Sequence, residues 1–199
     1  MALNDHTNGE LSPIDLPHLD RIFDKLRRGH HICTEDGDLF GSLRDHREGF
    51  TELFTKLGFT MVAHRRDFFY FHTRHSPSER ATKMALFVMI LAEWLSDRGE
   101  PIEDTLLTHV FTMSELPHLG QERYAATLAE ADAGDESQLA GIVRNLVRFG
   151  FAEHLSENTF RFRPPVCRFL DICLDVLAES DEETKADETE SAEAGEVQP

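Results

Sequence analysis

Apolar residues in the first third of the chain change from helical spacing to strand alternation. From 14 to 28 they recur every three or four positions, which predicts a helix with Ser12 as its cap, Pro13 in its first turn and Gly29 at its end. Further pieces follow in this order: an extended stretch at 30–33, a brief helix around 36–44, a longer helix at 46–57, and strands at 59–64 and 68–73 around a turn at 65–67. A helix, a short strand, two helices and a hairpin are the elements of a winged helix.

The same order returns in the second half of the chain, where Ser78 is the expected cap of a long helix. The pattern predicts helices at 79–98, 102–110, 116–131 and 136–149, strands at 151–155 and 159–162 around a turn at 156–158, and a final helix at 166–177. We therefore expect a mainly α-helical fold with small β-hairpins. It would consist of a flexible N-terminus at 1–12 and tandem winged-helix domains at 13–75 and 76–179.

The last twenty residues differ from the rest in composition. Residues 180–199 contain eight acidic residues, one lysine and no aromatic residue. Such a segment buries too little apolar surface to offset its chain entropy, so we expect a disordered acidic tail. The formal net charge of the chain is −17. Because a generic DNA-binding protein is basic, any nucleic-acid contact must come from a local patch, and the main partners are expected to be proteins.

The composition favours a cytoplasmic location. No apolar run reaches the length of about 18 residues that would indicate a membrane span. The polar, acidic start lacks the basic end and apolar stretch of a signal peptide. Three cysteines are too few and too scattered for a disulfide framework or a zinc ribbon, and we expect them to be small buried hydrophobic residues: Cys33, Cys167 and Cys173.

Five short motifs lie between residues 14 and 178. They are RGHHI at 28–32, LFTKLGF at 53–59, FFYF at 68–71, LVRFGF at 146–151 and FRFRPPVCRFLD at 160–171. This part of the chain resembles MksE, the MukE-like subunit of bacterial MukBEF/MksBEF condensins. The resemblance implies a dimeric tandem winged-helix protein that grips an MksF/MukF-like kleisin, near an MksB/MukB-like SMC ATPase and DNA. The motifs are mostly core and turn residues, so they indicate a fold family more than the role of any residue.

Potential metal ligands gather around the first short strand. His30, His31 and Cys33 lie there, and His72 and His75 close the hairpin. Zinc requires three or four converging ligands, usually with paired spacing. Since neighbours in an extended chain point to opposite faces, this spacing predicts no metal site, and no cofactor is expected.

No catalytic motif is visible. The chain has neither the phosphate-binding pattern G-x-x-x-x-G-K-[ST] nor G-x-S-x-G or H-E-x-x-H. Three carboxylates in a polar turn are expected to cap the helix that follows: Glu35, Asp36 and Asp38. The sequence therefore indicates a protein that is not an enzyme.

Arginines are concentrated near the end of the second predicted domain. Arg144 and Arg148 are four apart and share one face of the helix at 136–149. Arg161 and Arg163 alternate with phenylalanines on the second hairpin strand, so both should point outward, and Arg168 follows. The five could form one phosphate-contacting surface. The alternative is an ordinary solvated face.

The first predicted domain has a weaker basic candidate. Arg47 and Lys56 lie on its recognition-position helix, and Arg65 and Arg66 lie at the hairpin turn. A solvated face is again the alternative. Few Asn or Gln residues lie on either helix, so contact with double-stranded DNA should be independent of sequence.

Four consecutive aromatic residues occupy the second strand of the first hairpin. Alternation should direct two of them inward and leave Phe68 and Tyr70 on the opposite face. That face is a candidate interface for a dimer partner or a kleisin segment. The alternative is packing under the first helix.

The leading hypothesis is a dimeric, non-catalytic subunit of an MksBEF-type condensin. It would bind the kleisin and help to hold DNA, in the cytoplasm and associated with the nucleoid. The complex would act in chromosome organisation and segregation or in defence against plasmid DNA. The alternative is a dimeric winged-helix transcription regulator with a palindromic site, which the acidic charge disfavours.

Overall fold

The computed structural model describes residues 15–72 and 78–172. In these ranges the chain is mainly helical with two small antiparallel sheets, as the sequence predicts. Several predictions lie outside the described residues: the cap at Ser12 and Pro13, the N-terminus at 1–12, the end of the last helix, and the acidic tail at 180–199.

Residues 15–72, here called the first unit, alternate helices and short strands. Their bounds are α1 Leu19–Arg27, β1 Ile32–Cys33, α2 Asp38–Asp45, α3 Arg47–Lys56, β2 Thr60–His64 and β3 Phe68–His72. A 3-10 turn, Thr34–Asp36, joins β1 to α2. Gly29 and Gly58 end α1 and α3 with φ of +82°, a left-handed backbone that glycine adopts readily.

Helix α1 begins later than the apolar spacing predicts. Residues 15–18 are not helical, and α1 starts at Leu19. Pro17 disfavours a helical backbone at the residue before it, and His18 adopts a left-handed φ of 55°. Leu16 is nevertheless buried. The apolar spacing before Leu19 therefore reflects burial in a turn.

Residues 78–172, here called the second unit, repeat the order of the first unit with two additional helices, one before the short strand and one between that strand and the hairpin. Their elements are α4 Glu79–Asp97, α5 Ile102–Thr108, β4 Phe111–Thr112, α6 Pro117–Gly120, α7 Glu122–Glu130, α8 Glu136–Arg148, β5 Ala152–His154 and β6 Thr159–Phe162. Ser78 caps α4 as predicted, accepting a hydrogen bond from the Ala81 backbone N–H at 3.3 Å. A 3-10 turn, Pro164–Val166, leads into helical residues 167–172, the C-terminal helical segment.

Two predicted helices of the second unit are wrong in detail. The helix predicted at 102–110 ends at Thr108, and the two-residue strand β4 follows it. Such a strand is too short to show alternation in the sequence. The helix predicted at 116–131 is divided at Gln121, whose backbone is extended (φ −118°, ψ 127°).

Each unit contains a three-stranded antiparallel sheet with the same strand order. In the first, β3 lies between β1 and β2, and in the second, β6 lies between β4 and β5. Ile32 pairs with Phe69 in the first sheet, and Phe111 pairs with Phe160 in the second. The short strand before the helices is therefore held by the second hairpin strand in both units.

Each unit also has its own hydrophobic core. In the first, Phe54 and Phe71 contact edge to face, with ring centroids 5.0 Å apart. The second core surrounds α4, where Phe87 and Leu91 are fully buried. Although α4 spans 19 residues, none of the helices within 15–72 and 78–172 is both long and apolar enough to cross a membrane.

One histidine is buried inside the second core. The His118 ring stacks on Phe87 with centroids 4.1 Å apart, and its Nε2 lies 3.0 Å from the Phe87 carbonyl oxygen. Burial lowers the pKa of His118 to about 4, so the ring is neutral near pH 7. Its Nδ1 has no hydrogen-bond partner among the described residues.

Candidate nucleic-acid interface

Helix α8 lies directly before the second hairpin, and a capping box fixes its start. The Asp135 side chain accepts a hydrogen bond from the Gln138 backbone N–H at 2.8 Å, and the Gln138 side chain accepts one from the Asp135 backbone N–H at 3.1 Å. One side of α8 packs into the second core through Leu139, Ile142, Val143 and Leu146. The opposite side faces solvent.

Two arginines, Arg144 and Arg148, lie one turn apart on the exposed side of α8, as the sequence predicts. Both are exposed. Neither forms an ion pair with an acidic side chain of residues 15–72 or 78–172, whereas Arg161 and Arg163 are paired and Arg168 is buried. The Arg148 guanidinium lies 5.8 Å from the centre of the Phe149 ring. We call Arg144 and Arg148 the arginine ridge.

A groove lies on each side of the arginine ridge. One, of about 390 Å³, separates α8 from the second hairpin and is lined by Val143, Arg144 and Phe160 among others. The other, of about 600 Å³, separates α8 from the start of α4 and includes Arg80 and Asn145. Helix α8 therefore has a groove on each side, and its two exposed arginines are accessible to a large ligand.

Arg80 is a cation beside α8 that the sequence did not reveal. It is exposed and lies at the start of α4, across the second groove from the ridge. Its position depends on the packing of α4 against α8, which no local motif encodes. Gln138 and Asn145, polar residues of the same groove, were also missed. Helical spacing places Asn145 about 100° further round α8 than Arg144, on the side of the second groove.

Arg161 lies on the outer face of the second hairpin, as predicted, but it is paired. Its Nη2 donates to Glu153 Oε1 across the hairpin at 2.5 Å, and the side chain is 41% exposed. The carboxylate offsets the arginine charge. Arg161 therefore adds less positive potential to this surface than its position in the sequence suggests.

Arg163 is buried at the junction between the two units. Its Nε donates to Glu35 at 2.8 Å and its Nη2 donates to Asp36 at 2.7 Å. Burial acts to raise the pKa of Asp36, but hydrogen bonds from His30 and the Cys33 backbone and the charge of Arg163 outweigh it and hold that pKa well below its usual range. The expected outward, phosphate-facing position of Arg163 is therefore not found.

Arg168 lies in the same junction. Its Nη1 is 2.9 Å from His31 Nε2, and its guanidinium lies 4.2 Å from the centre of the Tyr70 ring. His31 Nδ1 is 3.2 Å from the Phe149 carbonyl oxygen, so this nitrogen carries the proton and Nε2 accepts from Arg168. Burial and then the charge of Arg168 lower the pKa of His31 to about 3, so the ring is neutral.

The turn of the first hairpin also contacts the second unit. Arg66 donates twice to Glu103, at 2.8 and 2.6 Å, and once to Asp171 at 2.8 Å. Arg65 donates to the same Asp171 at 2.8 Å, and His64 Nε2 lies 2.9 Å from it. Since Arg66 is largely enclosed and Arg65 is 70% exposed, only Arg65 keeps a solvent-facing surface.

The remaining basic candidates of the first unit lie on α3. Arg47, in its first turn, is exposed and has no acidic partner in the part of the chain that the structure describes. Lys56, in its last turn, is paired with Glu52 at 2.5 Å. Of these two candidates, only Arg47 is therefore an exposed cation without an acidic partner among the described residues.

Phe68 and Tyr70 lie on the face of β3 opposite Phe69 and Phe71, which pack into the first core. Phe68 is fully buried and stacks on His64 with centroids 4.2 Å apart. Tyr70 lies between His31, at 5.2 Å between centroids, and the Arg168 guanidinium. This aromatic face is thus covered within the chain, and neither packs under α1.

The candidate metal ligands do not gather into one site. Within residues 15–72 and 78–172 no group of three His, Cys, Asp or Glu side chains has the geometry to hold a metal ion. His30 and His31 belong to the junction, His72 is exposed at the end of β3, and His75 lies outside the described residues. Burial raises the pKa of the Cys33 thiol to about 11.

The structure therefore divides the nine basic candidates into two groups. Three of these candidates are exposed and have no carboxylate partner among the described residues: Arg144, Arg148 and Arg47. The other six are paired or buried: Arg161, Arg163, Arg168, Lys56, Arg65 and Arg66. Helix α8 holds two of the three exposed, unpaired candidates. It is the strongest candidate for a phosphate contact.

Comparison with known proteins gives a family match across the described fold. The family described as condensin complex protein MksE matches residues 17–174 of the chain. No curated protein matches the chain.

Proposed function

This chain belongs to the MksE family of condensin complex proteins, and from that premise we propose that it is a non-catalytic subunit that binds the kleisin and helps to hold double-stranded DNA. Its partners are components of an SMC complex. The kleisin would be MksF- or MukF-like, and the ATPase would be MksB- or MukB-like. The five motifs that resemble this family all fall within the matched residues 17–174.

We propose that the two units are tandem winged-helix domains, at 13–75 and 76–179. The repeated order of helix, short strand, helices and hairpin supports this, as does the shared strand order of the two sheets. In this scheme α3 and α8 hold the recognition position of their domains. The element that meets DNA would then be α8, because it has two exposed arginines without an acidic partner among the described residues, whereas α3 has one.

The arginine ridge is the observation that carries the DNA contact. Arg144 and Arg148 project from an exposed helix face on a chain of net charge −17. Arginine pairs with phosphate oxygens through parallel hydrogen bonds, and such contacts carry no base information. We therefore expect weak, sequence-independent binding that is strongly sensitive to salt.

The test is a double charge reversal, R144E/R148E. Its matched control is R98E/R123E, an equal change of charge at exposed, paired arginines just after α4 and on α7. DNA affinity should fall at least about tenfold at 50 mM salt in the first variant and less than about twofold in the control. The slope of log K against log salt should decrease by about 2, since two phosphate contacts are lost.

Kleisin binding is measured in the same variants by co-purification with the kleisin. R144E/R148E should retain the kleisin as the unmodified chain does, because the change is confined to an exposed helix face. Equal DNA affinity of the two variants at low salt would contradict the DNA contact. Failure of the unmodified chain to bind a kleisin of its own SMC complex would contradict the adhesion role itself.

A winged-helix transcription regulator is the other reading of the same fold. It predicts tight binding to one palindromic site and a footprint there, whereas our proposal predicts nearly equal affinity for unrelated duplexes. The family match favours the condensin subunit.

The proposal extends to assembly and cellular role. We expect a homodimer, in the cytoplasm and associated with the nucleoid, serving chromosome organisation or defence against plasmid DNA. Sedimentation measures the first expectation. Nucleoid morphology and plasmid retention in a deletion strain distinguish the two roles.

A further inference from the structure

The arginine ridge has an internal candidate partner of opposite charge. Residues 180–199 of the same chain contain eight acidic residues and one lysine. Most of the other described arginines already have a carboxylate partner, as Arg163 and Arg66 do. Arg144 and Arg148 are therefore cations for which an acidic segment has little intramolecular competition.

The chain leaves the described fold close to the end of α8. In the C-terminal helical segment, Phe169 contacts Phe151 with ring centroids 4.7 Å apart, and Phe151 follows Arg148 by only three residues. The neighbouring Arg168 contacts His31, while the His30 ring lies 3.0 Å from the Arg148 carbonyl oxygen. The described chain thus ends, at Ile172, on the side of the second unit where α8 ends.

The length of chain between these points is sufficient. Asp181, the first acid of the segment, follows Ile172 by nine positions. An extended chain of that length reaches about 30 Å, and a flexible one averages about 17 Å end to end. Because the two partners are tethered, their effective concentration is in the millimolar range, which compensates for the weakness of each surface ion pair.

We propose that the acidic segment 180–199 docks on the arginine ridge and competes there with DNA. This proposal rests on the function proposed above, because the acidic segment would regulate the same DNA-binding surface. Multiple exposed ion pairs of this kind are screened by salt, so the contact is strongest at low ionic strength. DNA displaces it where the local concentration of phosphate is high, as it is near DNA held by an SMC complex.

Docking is tested without DNA by zero-length carboxyl–amine crosslinking of the full-length chain. In R144K and R148K the ridge carries an amine, and R98K places one at the far end of α4 as the matched control. Carbodiimide at low protein concentration should join residues 144 and 148 to acids at 181–196, mapped by mass spectrometry. The yield should fall at least about fivefold at 0.5 M salt.

The control decides whether the contact is specific. Crosslinks from position 98 to the segment as frequent as those from 144 and 148 would overturn the proposal, as would the absence of crosslinks at the ridge. Since this readout involves no DNA, it stands even when R144E/R148E shows that DNA is bound elsewhere.

Competition is tested by removing the segment, and by replacing its eight acids with Asn or Gln at unchanged length. Both changes should raise DNA affinity about tenfold at 50 mM salt and less than about twofold at 300 mM. In an R144Q/R148Q background the gain should disappear. The same gain in that background would mean that the segment merely repels DNA, and the competition would be refuted.

Discussion

At Gly150 the backbone leaves no room for a side chain. Its φ is +81°, and a Cβ there would lie 2.5 Å from the His31 carbonyl oxygen and 3.0 Å from the His30 ring. Gly58 has almost the same φ, +82°, but nothing lies within 4 Å of the corresponding position. Alanine substitutions at Gly58 and Gly150 therefore distinguish two costs: Gly58 reports the strain of a left-handed backbone alone, and Gly150 adds the crowding at the junction.

We expect G58A to lower the free energy of unfolding by about 1–2 kcal/mol, the strain of a left-handed alanine. G150A should lower it by at least about 2 kcal/mol more, because backbone atoms of the first unit must move. Urea denaturation of both variants measures the difference. Equal losses would show that the junction yields to a methyl group without strain.

The two buried histidines make the fold sensitive to mild acid. The folded-state pKa is about 3 for His31 and about 4 for His118, each lowered first of all by burial from the ordinary 6.5. Between pH 6.5 and about 4 the unfolded chain binds protons that the folded chain does not. The free energy of unfolding therefore falls as the pH decreases through this window.

Between pH 7 and pH 5 each of these histidines should lower the free energy of unfolding by about 2 kcal/mol. H118Q keeps a donor for the Phe87 carbonyl and removes the titrating group. Its loss of stability between pH 7 and pH 5 should therefore be about 2 kcal/mol smaller than that of the unmodified chain, as measured by urea denaturation at both pH values. An unchanged pH dependence would contradict the assignment.

Among the connections between elements, Arg163 has the largest expected effect. It follows β6 and reaches two carboxylates in the turn between β1 and α2. R163M would remove the closer of the two cations from Asp36, which is largely enclosed, and leave only the longer ion pair with Lys25 at 3.6 Å. We expect a loss of about 3 kcal/mol, against under about 1 kcal/mol for R123M at an exposed ion pair. Chemical denaturation of both variants provides the comparison.

Local signals predict the elements wherever the responsible residue is a neighbour in the sequence. Glycines at positive φ end α1, α3 and α8, and Asp67 takes the left-handed position of the first hairpin turn. What was missed depends on tertiary context. Strand β4 exists because β6 pairs with it, and Leu16 is buried without being helical.

In the candidate site, too, the sequence predicts what depends on neighbouring residues and misses what depends on tertiary contacts. The shared face of Arg144 and Arg148 follows from helical spacing alone, and both are exposed. From the sequence, we group Arg163 and Arg168 with them, because strand alternation and nearness in the chain indicate the direction of a side chain. These signals do not indicate which residues of another segment lie opposite it. Glu35, 128 positions from Arg163, occupies that space. A contact of that range leaves no trace in one sequence.

At the scale of the whole molecule, we expect the two cores to unfold together, because the junction connects them. It joins them through buried ion pairs and the ring contact of His31 with Phe151, 4.3 Å between centroids. Trp94, the only tryptophan, lies on α4 and reports on the second core alone. Its fluorescence and the far-ultraviolet circular dichroism of the whole chain should therefore show coincident urea transitions.

The double variant R66M/R163M removes the two enclosed arginines that form ion pairs across the junction, and leaves the exposed Arg65 paired with Asp171. In this variant the two transitions should separate, with part of the helical signal lost before the tryptophan signal, because the second core is the larger. Separate transitions already in the unmodified chain would show that the junction does not couple the cores.

The buried thiols make the opening rate of this junction measurable. Cys33 and Cys167 lie on its two sides, close to Arg163 and Arg66 respectively, and burial raises the pKa of each to about 11. Neither reacts readily with an alkylating reagent while the halves stay closed. In a C173S background, the rate of their alkylation would time each opening of the molecule, and a bound partner that clamps the halves would slow it.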